Sequence, residues 1–311
     1  EAARLRGSER KRAIATYREA FNAFLADPFK HDLKAAELAG YVQTVRDEEP
    51  LDQIMRRLWE LRGRMAAEAV RANNAQAGKA KELLAVLDGA VPEAVGGVAA
   101  ERATGDELSA LFSFLNEQIE ASARTGSDQN GALACLQNLS RRAGFGSLEE
   151  HILVLQKDIA YSSHDPSSYH SRLQTLVSFY QDRGAYKQAS DILEAERLRD
   201  PARDSFEYLR LIAEDTRLLG DRERELQALR ENYRKPSANP ASLATTPEAL
   251  VDRYFEALLE NGEAGRNELL SCVNQPNAHQ LQLVNFLLRT GEKKLAHKAI
   301  ASASLTSAWK L

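Results

Sequence analysis

Apolar residues recur along this chain at helical spacing, and nowhere do they alternate with polar residues in the manner of a strand. Leu51, Ile54, Met55, Leu58, Leu61 and Met65 make one stripe, and Pro50 precedes it at a position where a missing N–H costs no hydrogen bond. Leu108, Leu111, Phe112, Leu115 and Ile119 make a second, with Thr104 and Glu107 spaced to satisfy each other's first-turn amides. Ser147 and Glu150 repeat that spacing around Leu148, Ile152, Leu155 and Ile159, which predicts another cap. Helix breaks are expected at Asp88 to Gly105, Gly126 to Gly131, Ser162 to Ser168 and Lys235 to Pro247. The last of these, KPSANPASLATTP, reads as a linker. Composition points the same way: 48 Ala and 42 Leu among 311 residues, with 17 Gly and 9 Pro, favour helix over sheet. An all-α protein is expected.

Short helices of this kind raise the question of internal repeats. In HSRLQTLVSFYQDRGAYKQASDILEAERLRDP, residues Leu173, Leu176 and Tyr180 line one helix face and Gly184 permits a turn with positive φ. Ala189 is small where a second helix must pack closely, Leu193 fills the seam and Pro201 stops the second helix. With Tyr186, these positions resemble one tetratricopeptide repeat, Val177 and Glu196 being departures. Gly220 follows Gly184 by 36 residues, close to the family's period of about 34. Around it Leu209, Ile212, Ala213, Leu229 and Pro236 fit, whereas Thr216, Arg222 and Glu225 do not. Leu283, Leu287, Gly291, Ala296, Ile300 and Ala303 form a third echo, with Gln280 and Lys293 as departures. AIATYREAFNAFLADP is similar to a second helix closing at Pro28, with Ala23 in the small slot. Residues 29–160 carry helix pairs without the signature.

The resemblance implies a right-handed α-solenoid of antiparallel helix pairs, stacked because a lone hairpin cannot bury its apolar face. It divides the chain into a helical block at 1–160, tetratricopeptide-like pairs at 161–236 and further pairs at 237–311. In that family the first helices of the repeats line a groove that holds peptides or partner helices. Carried over residue by residue, the groove is Gln174, Ser178 and Gln181, then Arg210, Glu214 and Arg217, then Asn285 and Arg289. These residues lack the uniform Lys/Asn/Arg set of a C-terminal carboxylate clamp, so the resemblance implies a protein or peptide partner of another kind. The final WKL lacks a polar closing helix, which makes continuation of the solenoid, as part of a longer chain, an expectation. Glu1 is not Met and no leader precedes it, as in a processed or excised chain; the compartment stays open.

Charge and chemistry narrow the function. The net charge is −4, and the richest basic cluster is Arg10-Lys11-Arg12, so a nucleic-acid partner is not expected. Even the apolar stretch Leu83 to Ala100 contains Asp88 and Glu93, so no membrane span is expected. The 29 Arg against 12 Lys suggest a GC-rich bacterial source. Cys135 and Cys272 are expected as free buried thiols. Among His31, His151, His164, His170, His279 and His297, only His164 and His170 lie near each other, and SSHDPSSYH reads as a polar loop with capping residues in place of a metal site. Gly144-Phe145-Gly146 reads as a helix-to-helix turn. No HExxH, phosphate loop, GxSxG or GxGxxG motif is present, and no cofactor, metal or catalytic residue is expected. The competing expectation is a helical-toroid hydrolase in residues 29–160 using carboxylates such as Glu48-Glu49 or Glu149-Glu150. Such sites want sugar-stacking aromatics, whereas only Trp59 and Trp309 are present and Trp59 sits in a packing stripe.

Overall fold

The computed structural model describes residues 7–30, 34–46, 48–71, 76–124, 128–199, 206–234, 248–274 and 279–302. All secondary structure among them is helical. The helices are α1 (Gly7–Ala26), α2 (Ala35–Val45), α3 (Leu51–Val70), α4 (Ala77–Arg102), α5 (Gly105–Arg124), α6 (Gln129–Arg142), α7 (Gly146–Ser162) and α8 (Pro166–Gln181). They continue as α9 (Tyr186–Arg199), α10 (Phe206–Leu219), α11 (Arg222–Arg234), α12 (Glu248–Glu260), α13 (Gly262–Asn274), α14 (Gln280–Arg289) and α15 (Lys293–Ser302). Contacts divide the chain into two compact units, Glu1–Thr175 and Leu176–Leu311, with the boundary inside α8. The linker at 235–247, together with Pro201, Pro236, Ala303, Trp309 and His31, lies outside the described residues.

In the first unit one core runs from Phe21 to Ile152. Helix α4 packs against α2, α3 and α6, and α5 against α3, α6 and α7. The stripe on α3 is buried throughout, and Pro50 stands at its N-cap. Thr104 and Glu107 form the expected box before α5: the Thr104 N–H donates to Glu107 Oε2 at 2.8 Å, and the Glu107 N–H to Thr104 Oγ1 at 3.4 Å. Ser147 does not cap α7. Phe145 holds that position, and Ser147 lies within the first turn.

The expected break at Asp88 to Gly105 is also corrected, because α4 runs unbroken to Arg102 with Pro92 inside it. Of the glycines there, Gly96 serves packing: a Cβ on it would lie 2.5 Å from Arg142 Cβ, so α4 and α6 approach closely at this point. This helix is long and apolar enough, by length and composition alone, to cross a membrane. Its apolar side, including Leu87, Val91 and Val95, is buried against neighbouring helices. At the start of the unit Ala23 is exposed, so it does not fill a small slot; Ile14, Phe21 and Phe24 are buried residues of α1.

In the second unit α10 packs on α9 and α11, α12 on α11, α13 and α14, and α15 on α13 and α14. Within each unit the substantial contacts therefore join helices adjacent or next but one in sequence. One turn recurs. After α10, Gly220 adopts φ +76°, the Asp221 N–H donates to the Thr216 carbonyl at 2.9 Å and the Gly220 N–H to the Arg217 carbonyl at 3.0 Å. This Schellman arrangement satisfies carbonyls that a helix end leaves open and requires a residue at home at positive φ. It is repeated at Gly144, Gly184 and Gly291, where the N–H of the following residue reaches Ser140, Tyr180 and Leu287 at 2.8, 2.9 and 2.8 Å.

Counting back eleven, eight and four residues from these glycines gives buried positions every time: Leu133, Leu136 and Ser140; Leu173, Leu176 and Tyr180; Leu209, Ile212 and Thr216; Gln280, Leu283 and Leu287. Gly262, at φ +64°, follows Val251, Tyr254 and Leu258 at the same offsets. Beyond the glycines, Ala189, Ala296 and Leu193 are buried as expected, whereas Ile300 is 41% exposed and Ala299 takes the buried place.

Candidate binding groove

Helix α10 combines two faces. Leu209, Ile212, Ala213 and Thr216 are buried, leaving Arg210, Glu214 and Arg217 together at i, i+4 and i+7 on its outer side. Arg210 is bracketed on its own helix, donating to Glu207 at 2.5 and 3.1 Å and to Glu214 at 2.7 Å. Across from it, α12 presents Leu250, Arg253 and Glu256. The two helices and α11 enclose a cleft of about 450 Å³ whose lining also includes Ala213, Glu225, Leu229 and Ala249.

The cleft's charges are almost all matched. Glu225 occupies the place that Ala189 and Ala296 hold after their glycines, a slot where Ala allows close helix approach, and it is 1% exposed. It survives there because Arg253 donates Nε and Nη2 to its Oε1 at 2.9 and 2.6 Å, linking α11 to α12. Arg222 stands 3.4 Å from its other oxygen. Arg253 also reaches Glu260 at 3.1 Å and Glu256 at 3.4 Å. Arg217 has no ion-pair partner among the described residues.

The sequence-expected groove residues are only partly brought together. Arg210, Glu214 and Arg217 share the cleft. Gln181 instead donates its amide to Asp215 of α10 at 2.8 Å. Gln174 and Ser178 are exposed on α8, Gln174 lying 3.0 Å from the His170 ring. Asn285 is exposed on α14, and Arg289 of the same helix is paired with Asp252 of α12. Sequence reasoning missed α12 as a groove wall. Its signal was present in Gly262 and the Val251, Tyr254 and Leu258 spacing, which match Gly220 and its own preceding residues. A second cleft of about 450 Å³ lies between α9 and α11; its charged residues pair with each other, Arg197 with Glu231 at 2.5 Å and Arg224 with Glu194 at 2.8 Å.

Asp165 caps α8, accepting the Ser167 and Ser168 N–H groups at 3.1 Å each and the Ser168 hydroxyl at 2.6 Å, contacts that hold its carboxyl below its usual range. No group of three or more His, Cys, Asp and Glu residues fit to hold a metal occurs among the described residues. Cys135 is a free, buried thiol that burial pushes up to about 12, and Cys272 is free and half-buried. Of the acidic pairs, Glu48 is engaged by Arg18 at 2.9 Å and Glu49 by Arg57 at 3.1 Å.

No protein-family model matches the chain, and no curated protein matches it.

Proposed function

We propose that this chain is a non-enzymatic protein-interaction scaffold, a right-handed α-solenoid of tetratricopeptide-like helix pairs that holds a peptide or partner segment in the groove between α10 and α12. The observation that carries the reading is that Arg210, Glu214 and Arg217, chosen on the repeat pattern alone, line a cleft walled by the next helix to precede a positive-φ glycine. Substantial contacts that join neighbouring and next-but-one helices are the pattern that stacked repeats produce. The cleft's apolar floor and charged rim suit a protein segment better than a phosphate backbone. A hydrolase in residues 29–160 has less support, since Glu48 and Glu49 are already committed to arginines.

The test is selection of a random displayed-peptide library on the immobilised chain, repeated with the triple variant Arg210→Ala, Glu214→Ala, Arg217→Ala. Enriched sequences that bind the parent and lose the variant are the expected result. A library that yields no enrichment, or peptides that hold both proteins equally, overturns the proposal.

A further inference from the structure

The charge pattern of the α10–α12 cleft says more about its occupant. Each carboxylate lining it has a guanidinium within reach: Glu214 at 2.7 Å from Arg210, Glu225 at 2.6 Å and Glu256 at 3.4 Å from Arg253. Arg217 is exposed and has no such partner among the described residues. Among the described residues it is the cleft's one cation left for a ligand. One helical turn away lies an apolar floor of Ala213, Leu229 and Leu250, which line the cavity although each is buried, at 4%, 1% and 9% exposure.

We propose that the cleft selects an extended protein segment with an acidic side chain and an apolar side chain two residues apart, the carboxylate on Arg217 and the apolar group against Ala213, Leu229 and Leu250. This rests on the groove reading above. Spacing supports it: Arg217 and Ala213 are four residues apart on one helix face, about 5–6 Å between Cβ atoms. Side chains two apart on one face of an extended chain are separated by roughly 6.6 Å. A guanidinium binds a carboxylate with two parallel hydrogen bonds, which supplies direction as well as attraction. A basic segment would instead meet Arg217 with like charge and find the cleft's carboxylates already engaged.

The experiment uses the full chain and capped, fluorescein-labelled decapeptides in a Gly/Ser frame, carrying Glu-Ser-Leu, Lys-Ser-Leu or Glu-Ser-Ser, titrated by fluorescence anisotropy at low salt. The expected order is Glu-Ser-Leu tightest, with each of the others weaker by about fivefold to tenfold. Arg217→Glu, an exposed substitution whose helicity is checked by circular dichroism, should reverse the preference between the Glu and Lys peptides. Preference of the parent protein for Lys-Ser-Leu, or an unchanged order in Arg217→Glu, overturns the proposal. Equal binding of all three peptides overturns the acidic preference and leaves the groove reading standing; if none binds at millimolar concentration, both fall together.

Discussion

Gln181 and Asp215 share a single hydrogen bond, the Gln181 amide donating to Asp215 Oδ1 at 2.8 Å, while Oδ2 is buried without a hydrogen-bond partner in the described structure. Asp215 stands five residues before Gly220, where Phe179, Ala257 and Phe286 stand before their own glycines. A carboxyl group thus fills a slot that the fold otherwise gives to apolar side chains. Burial, with a smaller push from Glu214, raises it from 3.8 to about 6 against the opposing pull of the Gln181 hydrogen bond.

Because the folded value is raised, the folded state takes up a proton that the unfolded chain does not hold between about pH 6 and pH 4. Asp215 therefore favours folding increasingly as pH falls through 6, and that contribution is absent above it. Two pKa units correspond to at most about 3 kcal/mol. Asp215→Asn keeps the amide partner and carries no charge, so at pH 7.5 it should be more stable than the parent by roughly 1–3 kcal/mol, with the gap closing toward pH 4. Urea titrations of both proteins across this range check it, and parallel curves refute it.

The pair Glu225 and Arg253 should be asymmetric. Arg253→Ala leaves a buried carboxylate with only Arg222, 3.4 Å away, and should cost about 2–4 kcal/mol. Glu225→Ala leaves an arginine that is partly exposed and still reaches Glu260 at 3.1 Å, so it should cost less. The double variant should lose less than the sum of the two. A denaturation cycle measures this directly, and additivity would show that the contact between them contributes nothing.

These two acidic residues also mark what was legible in the sequence. The offsets of buried residues before Gly184, Gly220 and Gly291 can be read directly, because a helix end that needs positive φ leaves a glycine and the preceding helix must bury the residues eleven, eight and four before it. Gly144 and Gly262 follow the same rule, although the residues five further on, Glu149 and Asn267, are not small. Glu225 broke the pattern for a reason that lies in another helix, in Arg253, and no local reading contains it. In α4 Pro92 with Gly89, Gly96 and Gly97 reads locally as loop chemistry, whereas packing against α2, α3 and α6 keeps the helix intact through Pro92. In the last hairpin Ala296 and Ala299 are the buried residues of the second helix and Ile300 is 41% exposed.

Neighbouring glycines in α4 should respond in opposite directions to the same substitution. At Gly96 a methyl would sit 2.5 Å from the Cβ of Arg142, an atom that cannot swing away, so Gly96→Ala should force α4 from α6 and cost about 1–3 kcal/mol. At Gly97 nothing lies within 4 Å, and Gly97→Ala should gain about 0.5–1 kcal/mol from lower unfolded-chain entropy. Thermal melts of the two single variants suffice, and a shared sign would mean that α4 and α6 do not meet at Gly96.

Arg62, 3% exposed on α3, joins three helices: it donates to both oxygens of Asp88 on α4 at 2.6 and 3.1 Å and to Asp128, at the N-cap of α6, at 2.5 Å. The two carboxylates keep partial access to water while the guanidinium does not. The order of damage follows from that difference. Arg62→Met leaves two acids that water can solvate and should cost about 1–2 kcal/mol, whereas Asp88→Ala leaves a buried cation with one remaining partner and should cost about 3 kcal/mol. Arg62→Lys should not behave as a conservative change, because an ammonium cannot make three directed bonds to two acids from that position. Cys135, buried beside Asp88 and held as a neutral thiol, reports the same event: its labelling by a thiol reagent should be slowest in the parent and fastest in Asp88→Ala. If Arg62→Met proves the more damaging, the carboxylates and not the guanidinium are the groups that this cluster shields from water.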